Sequence, residues 1–232
     1  MLSDHPEFEG FPKQTIKFLK GLRKNNNKEW FTKHRAAYDE YYVPVAKAFA
    51  AEMGTALKKI SPDVNCEPRV GGSLFRINRD IRFSKDKTPY KPHMDMWFWE
   101  GGTKSMETTG FFFRLAGTHV IRGAGIHCFS KEGRSRFLDA VDSTEGSKLA
   151  RAIAKLEKSG FVVGGDKLKR VPREYDADHE LGELLKHKGL HVSREIPHSG
   201  DLHSKKFIVE CVKDYRAMWP VSRWFVENVL LP

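Results

Sequence analysis

Three short runs in the middle of the chain, residues 94–99, 110–115 and 119–126, are rich in aromatic and β-branched residues and bounded by glycines. That pattern reads as neighbouring strands of an antiparallel sheet. Gly123 and Gly125, inside the third run, mark a bulge or a close backbone approach. Residues 74–77 read as a further short strand just before the first run.

Helical patterning lies on both sides of these runs. Phe11-Pro12 opens a helix on which Ile16, Phe18, Leu19 and Leu22 recur at helical spacing, and proline suits a first turn. Asn25-Asn26-Asn27 interrupts it, with Asn27 placed as the N-cap of a second helix carrying Trp30, Phe31, His34, Ala37, Tyr38 and Tyr41. Asn25, Asn26 and Glu29 read as capping residues rather than an anion site. Pro44 is expected to end or kink that helix, with a third helix over 45–60. Beyond the strands, Ser130 is placed to cap a helix through 141, and Ser143 or Thr144 one through 158. A short strand over 161–163, a short helix over 179–186 stopped near Gly189, a strand over 190–196 and a helix over 205–231, kinked or split at Pro220, complete the reading. Helices flanking a central antiparallel sheet give an α+β fold. The expectation is one domain over 1–232: helical at 1–62, sheet-rich at 70–128, and helical or mixed at 129–232.

The chain of 232 residues is long enough to bury a core without disulfides or metal. Its three cysteines, Cys66, Cys128 and Cys211, are widely separated and odd in number, which indicates neither a zinc site nor a disulfide framework. No run of ~18 apolar residues suggests a membrane span. Residues 1–6 lack the basic-then-apolar order of a secretory leader, so the expectation is a cytoplasmic protein with no membrane association. Cofactor and oligomeric state are not legible. The histidines show no metal-binding spacing, and neither GxSxG, GxGxxG nor a Walker loop occurs.

The net charge of +10 favours anionic partners, and the charge is concentrated. Between Phe75 and Lys91 lie six cations, Arg76, Arg79, Arg82, Lys85, Lys87 and Lys91, against two carboxylates, Asp80 and Asp86, a local balance of +4. After Ile77 the period is neither strand nor helix, and Thr88 precedes a proline, so the segment is a loop. Two readings compete. In one, Asp80 and Asp86 pair with arginines while Phe83 and Tyr90 anchor the loop to the core. In the other, the surplus cations, with Arg114, clamp a small phosphorylated or carboxylated ligand, and Asp80, Asp86 or His93 orients the cations or serves as an acid or base. Arg114 and Arg122 are placed on adjacent strands and could line the same pocket as Arg76. His93 and Asp95, two apart on a strand, share a face and read as a hydrogen-bonded pair beside the loop. Ser84 lies among cations but has no evident base. An alternative function is nucleic-acid binding, with Tyr90, Trp97 or Trp99 stacking on bases; a second is an interaction or scaffold protein in which the loop braces the fold.

The run from Arg79 to Lys91, Arg-Asp-Ile-Arg-Phe-Ser-Lys-Asp-Lys-Thr-Pro-Tyr-Lys, resembles the signature of the uncharacterised family called domain of unknown function 2461. Three more blocks are similar to it: Phe11-Pro12 through Phe18-Leu19; Asn25-Asn26 with Glu29-Trp30-Phe31 and Tyr38; and Leu168-Lys169-Arg170-Val171-Pro172 with His179 and Leu184-Leu185. Glu174 and Glu180 depart from the pattern, standing where the family favours glycine and proline, as does the stretch after Gly125. The resemblance implies an α+β fold and a cytoplasmic setting, and it carries no activity, cofactor or catalytic residue.

Overall fold

The computed structural model describes residues 6–230. The leader reading of residues 1–5, and position 231 at the end of the last helix, lie outside the described residues. Within them, helices cover one side of a five-stranded antiparallel sheet.

Helix α1 (Lys13–Lys24) buries Ile16, Phe18, Leu19 and Leu22, and Arg23 and Lys24 in its last turn complement the helix dipole. Asn27 caps α2 (Lys28–Lys33) by accepting the Trp30 N–H at 2.9 Å. The path continues through α3 (Arg35–Ala37) and one π-helical stretch (Tyr38–Tyr42) into α4 (Val43–Leu57). The change expected at Pro44 is seen as the passage from the π-helical stretch into α4, two residues before the expected start of the third helix. Pro44 falls in the first turn of α4, where a missing N–H removes no intrahelical bond.

The sheet contains β1 (His93–Trp99), β2 (Thr109–Ala116), β3 (His119–Ile126), β4 (Val162–Gly164) and β5 (Leu190–Pro197), in the order β1-β2-β3-β5-β4. The three central runs therefore form strands within a residue or two of their expected ends. Residues 74–77 do not form a strand. Residues 73–75 touch the β1 edge in an isolated bridge, Phe75 N–H to Asp95 O at 3.0 Å and Trp97 N–H to Ser73 O at 2.9 Å, before the chain turns away. That contact still covers an otherwise open edge.

Ser130 caps α5 (Lys131–Val141) and Ser143 caps α6 (Thr144–Lys158). The helix expected over 179–186 shrinks to α7 (Gly182–Leu185). His179 stays outside it: its Nδ1 accepts the Leu181 N–H at 2.9 Å, leaving Nε2–H to donate to Asp142 at 3.0 Å. Helix α8 (Lys206–Asn228) runs unsplit through Pro220. One lost backbone bond is outweighed by the burial of Met218, Val221, Trp224 and Phe225 on either side of it.

Helices α4 and α8 pack on the sheet. At their meeting point Phe8, Phe11, Phe49, Phe113 and Phe207 form an aromatic cluster with ring centroids 4.5–6.1 Å apart. Strand alternation sends Met94, Met96, Phe98, Phe111, Phe113 and Leu115 into this core. The other face of the strands carries Asp95, Trp97, Phe112, Arg114, Ile121 and His191, which line a depression. Among the described residues no helix is long and apolar enough to cross a membrane.

Candidate functional site

The 75–91 segment is tied down at its base. Arg79 N–H donates to Pro89 O at 2.9 Å and Lys91 N–H to Ile77 O at 2.8 Å. Asn26 grips the same place from the N-terminal helices: its Nδ2 donates to Tyr90 O at 2.8 Å and its Oδ1 accepts the Tyr90 N–H at 3.1 Å. The Tyr90 ring is 7% exposed and stacks on Phe31 at 4.3 Å. Tyr90 is therefore an anchor, as expected. Phe83 is not: it stands 94% exposed at the tip of the loop.

Both loop carboxylates are used internally. Arg79 donates to Asp86, to the Thr88 hydroxyl, to Thr88 O at 3.2 Å and to Ser84 Oγ at 3.4 Å. Asp80 accepts from Arg82 Nε at 3.0 Å and Nη2 at 2.7 Å. The Asp86 carboxyl is held below its ordinary range chiefly by the Thr88 N–H and hydroxyl, then by Arg79. The Asp80 carboxyl is lowered by its Arg82 hydrogen bonds. Arg79 is thus the brace of the loop, its guanidinium spread over four acceptors, an arrangement that suits a planar fork.

Below the loop lie two depressions with a common wall. The first, about 660 Å³, is polar, with Arg23, Asn26, Arg79, Asp80, Asp86 and His93 on its sides. The second, about 450 Å³, runs over the sheet and is lined by Phe75, Trp97, Met106, Phe112, Ile121 and His191. Lys91, Asp95 and Arg114 belong to both.

Register builds that shared wall. Asp95 on β1 is directly opposite Arg114 on β2, and Trp97 is opposite Phe112. Asp95 accepts from Arg114 Nε at 2.6 Å and Nη2 at 3.1 Å, a two-point pair. His93 Nε2 lies 3.1 Å from the same carboxylate, and the Lys91 ammonium 3.9 Å away. Burial alone would raise the Asp95 pKa, but the His93 and Arg114 hydrogen bonds outweigh it and hold the group at about 2. Lys91 is pushed below the usual lysine value by burial, against the pull of Asp95 and with help from Arg114 and Arg76. Its ammonium also sits 4.8 Å from the Phe75 ring. On β3, Gly123 pairs with Phe112, and a Cβ there would run into the ring. The missing side chain is what lets Phe112 lie across the groove floor.

The structure brings together Arg79, Asp80, Asp86, Lys91, His93 and Arg114 among the residues singled out from sequence. Arg76, Arg82, Lys85 and Lys87 do not line either depression. Arg82 is spent on Asp80, and Lys87 donates to Ile81 O at 2.9 Å. Arg122 does not join Arg114. In the β2–β3 register Arg122 pairs with Phe113, so it points into the helix-covered core and meets Asp214 of α8 at 2.9 Å. Tyr90 and Trp99 are buried and line neither depression, whereas Trp97, also largely buried, lines the second. Sequence reasoning missed Arg23, the Asn26 clamp and the apolar floor. Asn26 carries no local signal, because its partner is 64 residues away. Among the described residues no group of three His, Cys, Asp or Glu side chains is placed to hold a metal ion.

Residues 14–224 match the family model described as Conserved hypothetical protein (DUF2461). No curated protein matches the chain.

Proposed function

Since the chain belongs to the DUF2461 family of conserved hypothetical proteins, whose description names no reaction, we propose from its geometry that it binds a small anionic ligand carrying an apolar or aromatic body. The carboxylate or phosphate group sits against Lys91 and Arg114, with His93 and Arg23 within the same cleft. The body lies along the groove over Trp97, Phe112 and Ile121.

One observation carries this reading: Lys91, His93 and Arg114 gather around the partly buried carboxylate of Asp95, where a polar depression meets an apolar one. Lys91 and Arg114 bring two positive charges against one negative charge. Asp95 engages Nε and Nη2 of Arg114, and Nη1 has no hydrogen-bond partner among the described residues. A preset cation beside an apolar floor is the usual composition of a small-molecule site. The loop cations contribute less than their number suggests, because Arg79 and Arg82 serve the loop itself.

Thermal unfolding with inorganic phosphate, benzoate, phenyl phosphate and nucleoside monophosphates tests the reading. A ligand at 100 times its Kd adds about 2.7 kcal/mol, which for a chain of this size raises the midpoint by roughly 5–10 °C. Compounds joining a ring to an anion should shift the midpoint further than inorganic phosphate does. No shift with any of them would count against the site.

A further inference from the structure

The tip of the basic loop is a separate surface that lines neither depression. Phe83 is 94% exposed there, the most exposed of the large hydrophobic residues described. A lone exposed hydrophobic residue is not in itself a site, but this ring is held in a basic setting. It is not free to fold back at low cost. Residues on both sides are held: Arg79 bonds to Ser84, Asp86 and Thr88, Arg82 to Asp80, and Lys87 to Ile81 O. The Arg82 guanidinium lies over the ring at 5.8 Å, leaving the other face open.

The net charge around the ring is positive. Lys85 makes no ion pair or hydrogen bond among the described residues, and Lys87 uses one of its three N–H groups. The two nearby carboxylates are already satisfied by Arg79, Arg82 and Thr88. An open ring face beside unspent cations, on a chain with net charge +10, is the combination that holds single strands: a base stacks on the ring while cations follow the phosphates. We infer that the loop tip docks single-stranded nucleic acid, with Phe83 as the stacking platform and Lys85 and Lys87 as the backbone contacts. A lipid surface fits less well, since anchoring there scales with buried apolar area and Phe83 is the one large hydrophobic residue that the tip exposes. The inference is independent of the small-anion cleft, because its ring and cations lie outside it.

Fluorescence anisotropy with labelled 20-nucleotide oligo-dT and oligo-U, at 50 and 200 mM KCl, tests it on the full chain. Two neutralised phosphates predict a loss of roughly 7-fold between the two salt concentrations. Phe83→Ala, at a position with almost no packing to lose, should keep its unfolding midpoint and bind about 5- to 100-fold more weakly. Lys85→Ala with Lys87→Ala should flatten the salt dependence. Absence of binding at 50 mM KCl, or equal affinity of the Phe83→Ala variant, overturns the inference. So does Phe83-dependent sedimentation with phosphatidylserine vesicles when the oligonucleotides fail to bind.

Discussion

Asp95 and Arg114 face each other across β1 and β2 and are joined at two points, Nε–Oδ1 at 2.6 Å and Nη2–Oδ2 at 3.1 Å. This pair fixes the orientation of the one guanidinium that both depressions share. The Asp95 carboxyl is held at about 2, below its ordinary value, so the folded state favours its charged form. Its contribution to stability is therefore complete above about pH 4 and is lost as the pH falls toward 2. Asp95→Asn should cost on the order of 2 kcal/mol in urea unfolding at pH 7. The gap between variant and wild type should close near pH 2. A constant gap over that range would show that the carboxylate charge is not what stabilises the wall.

Asn26 holds both backbone polar groups of Tyr90. Asn26→Ala should lower stability by about 1–2 kcal/mol, the usual cost of removing partners from part-buried groups. Amide exchange at Arg79, Tyr90 and Lys91 should speed up with it. Asn26→Asp keeps the acceptor and loses the donor, and should fall between the two. Unchanged exchange in the alanine variant would mean that Phe31 and Tyr90 alone secure the loop.

Gly123 leaves room for the Phe112 ring and lies close to Val192 O as well. Gly123→Ala should displace the ring and cost about 1–3 kcal/mol through overpacking. Chemical-shift changes in the variant should centre on Phe112, Trp97 and His191. A fold as stable as wild type with those signals unmoved would contradict the packing described.

Lys91 is lowered by burial first and by Arg114 and Arg76 after it, with Asp95 opposing. Competitive acylation followed by mass spectrometry should give Lys91 a titration midpoint below the ordinary lysine value of about 10.4. Arg114→Met removes one of the cations and should move that midpoint upward. A midpoint at or above the ordinary value would refute the proposed balance of burial over pairing.

The sheet was legible because its signals are local. Aromatic runs and bounding glycines lie within the strands that they specify, and Ser130 and Ser143 stand next to the helices that they cap. Pro44 marked the start of α4 within two residues, whereas the split expected as one outcome at Pro220 does not occur, because a proline's cost depends on its place in a helix and on the packing around it. The site was legible only in part. Arg114 and Arg122 are both strand arginines, but a shift of one residue in register decides which face each occupies, and they ended on opposite faces. Phe83 and Tyr90 look equivalent in sequence; the Asn26 clamp and the Phe31 ring, both far along the chain, make one an anchor and leave the other bare. The loop's cation count overstated its free charge, since the geometry that spends Arg79 on Asp86 and Thr88 exists only once the loop is folded.

Isothermal titration of phenyl phosphate into the wild-type protein, Lys91→Met and Phe112→Ala at 50 mM NaCl tests the central claim most directly. The account predicts saturable one-site binding to wild type, a loss of at least ~10-fold in Lys91→Met, where an ammonium–anion contact worth about 1.5–3 kcal/mol disappears, and a smaller loss in Phe112→Ala. No heat of binding to the wild-type protein, or equal affinity for all three proteins, would contradict it.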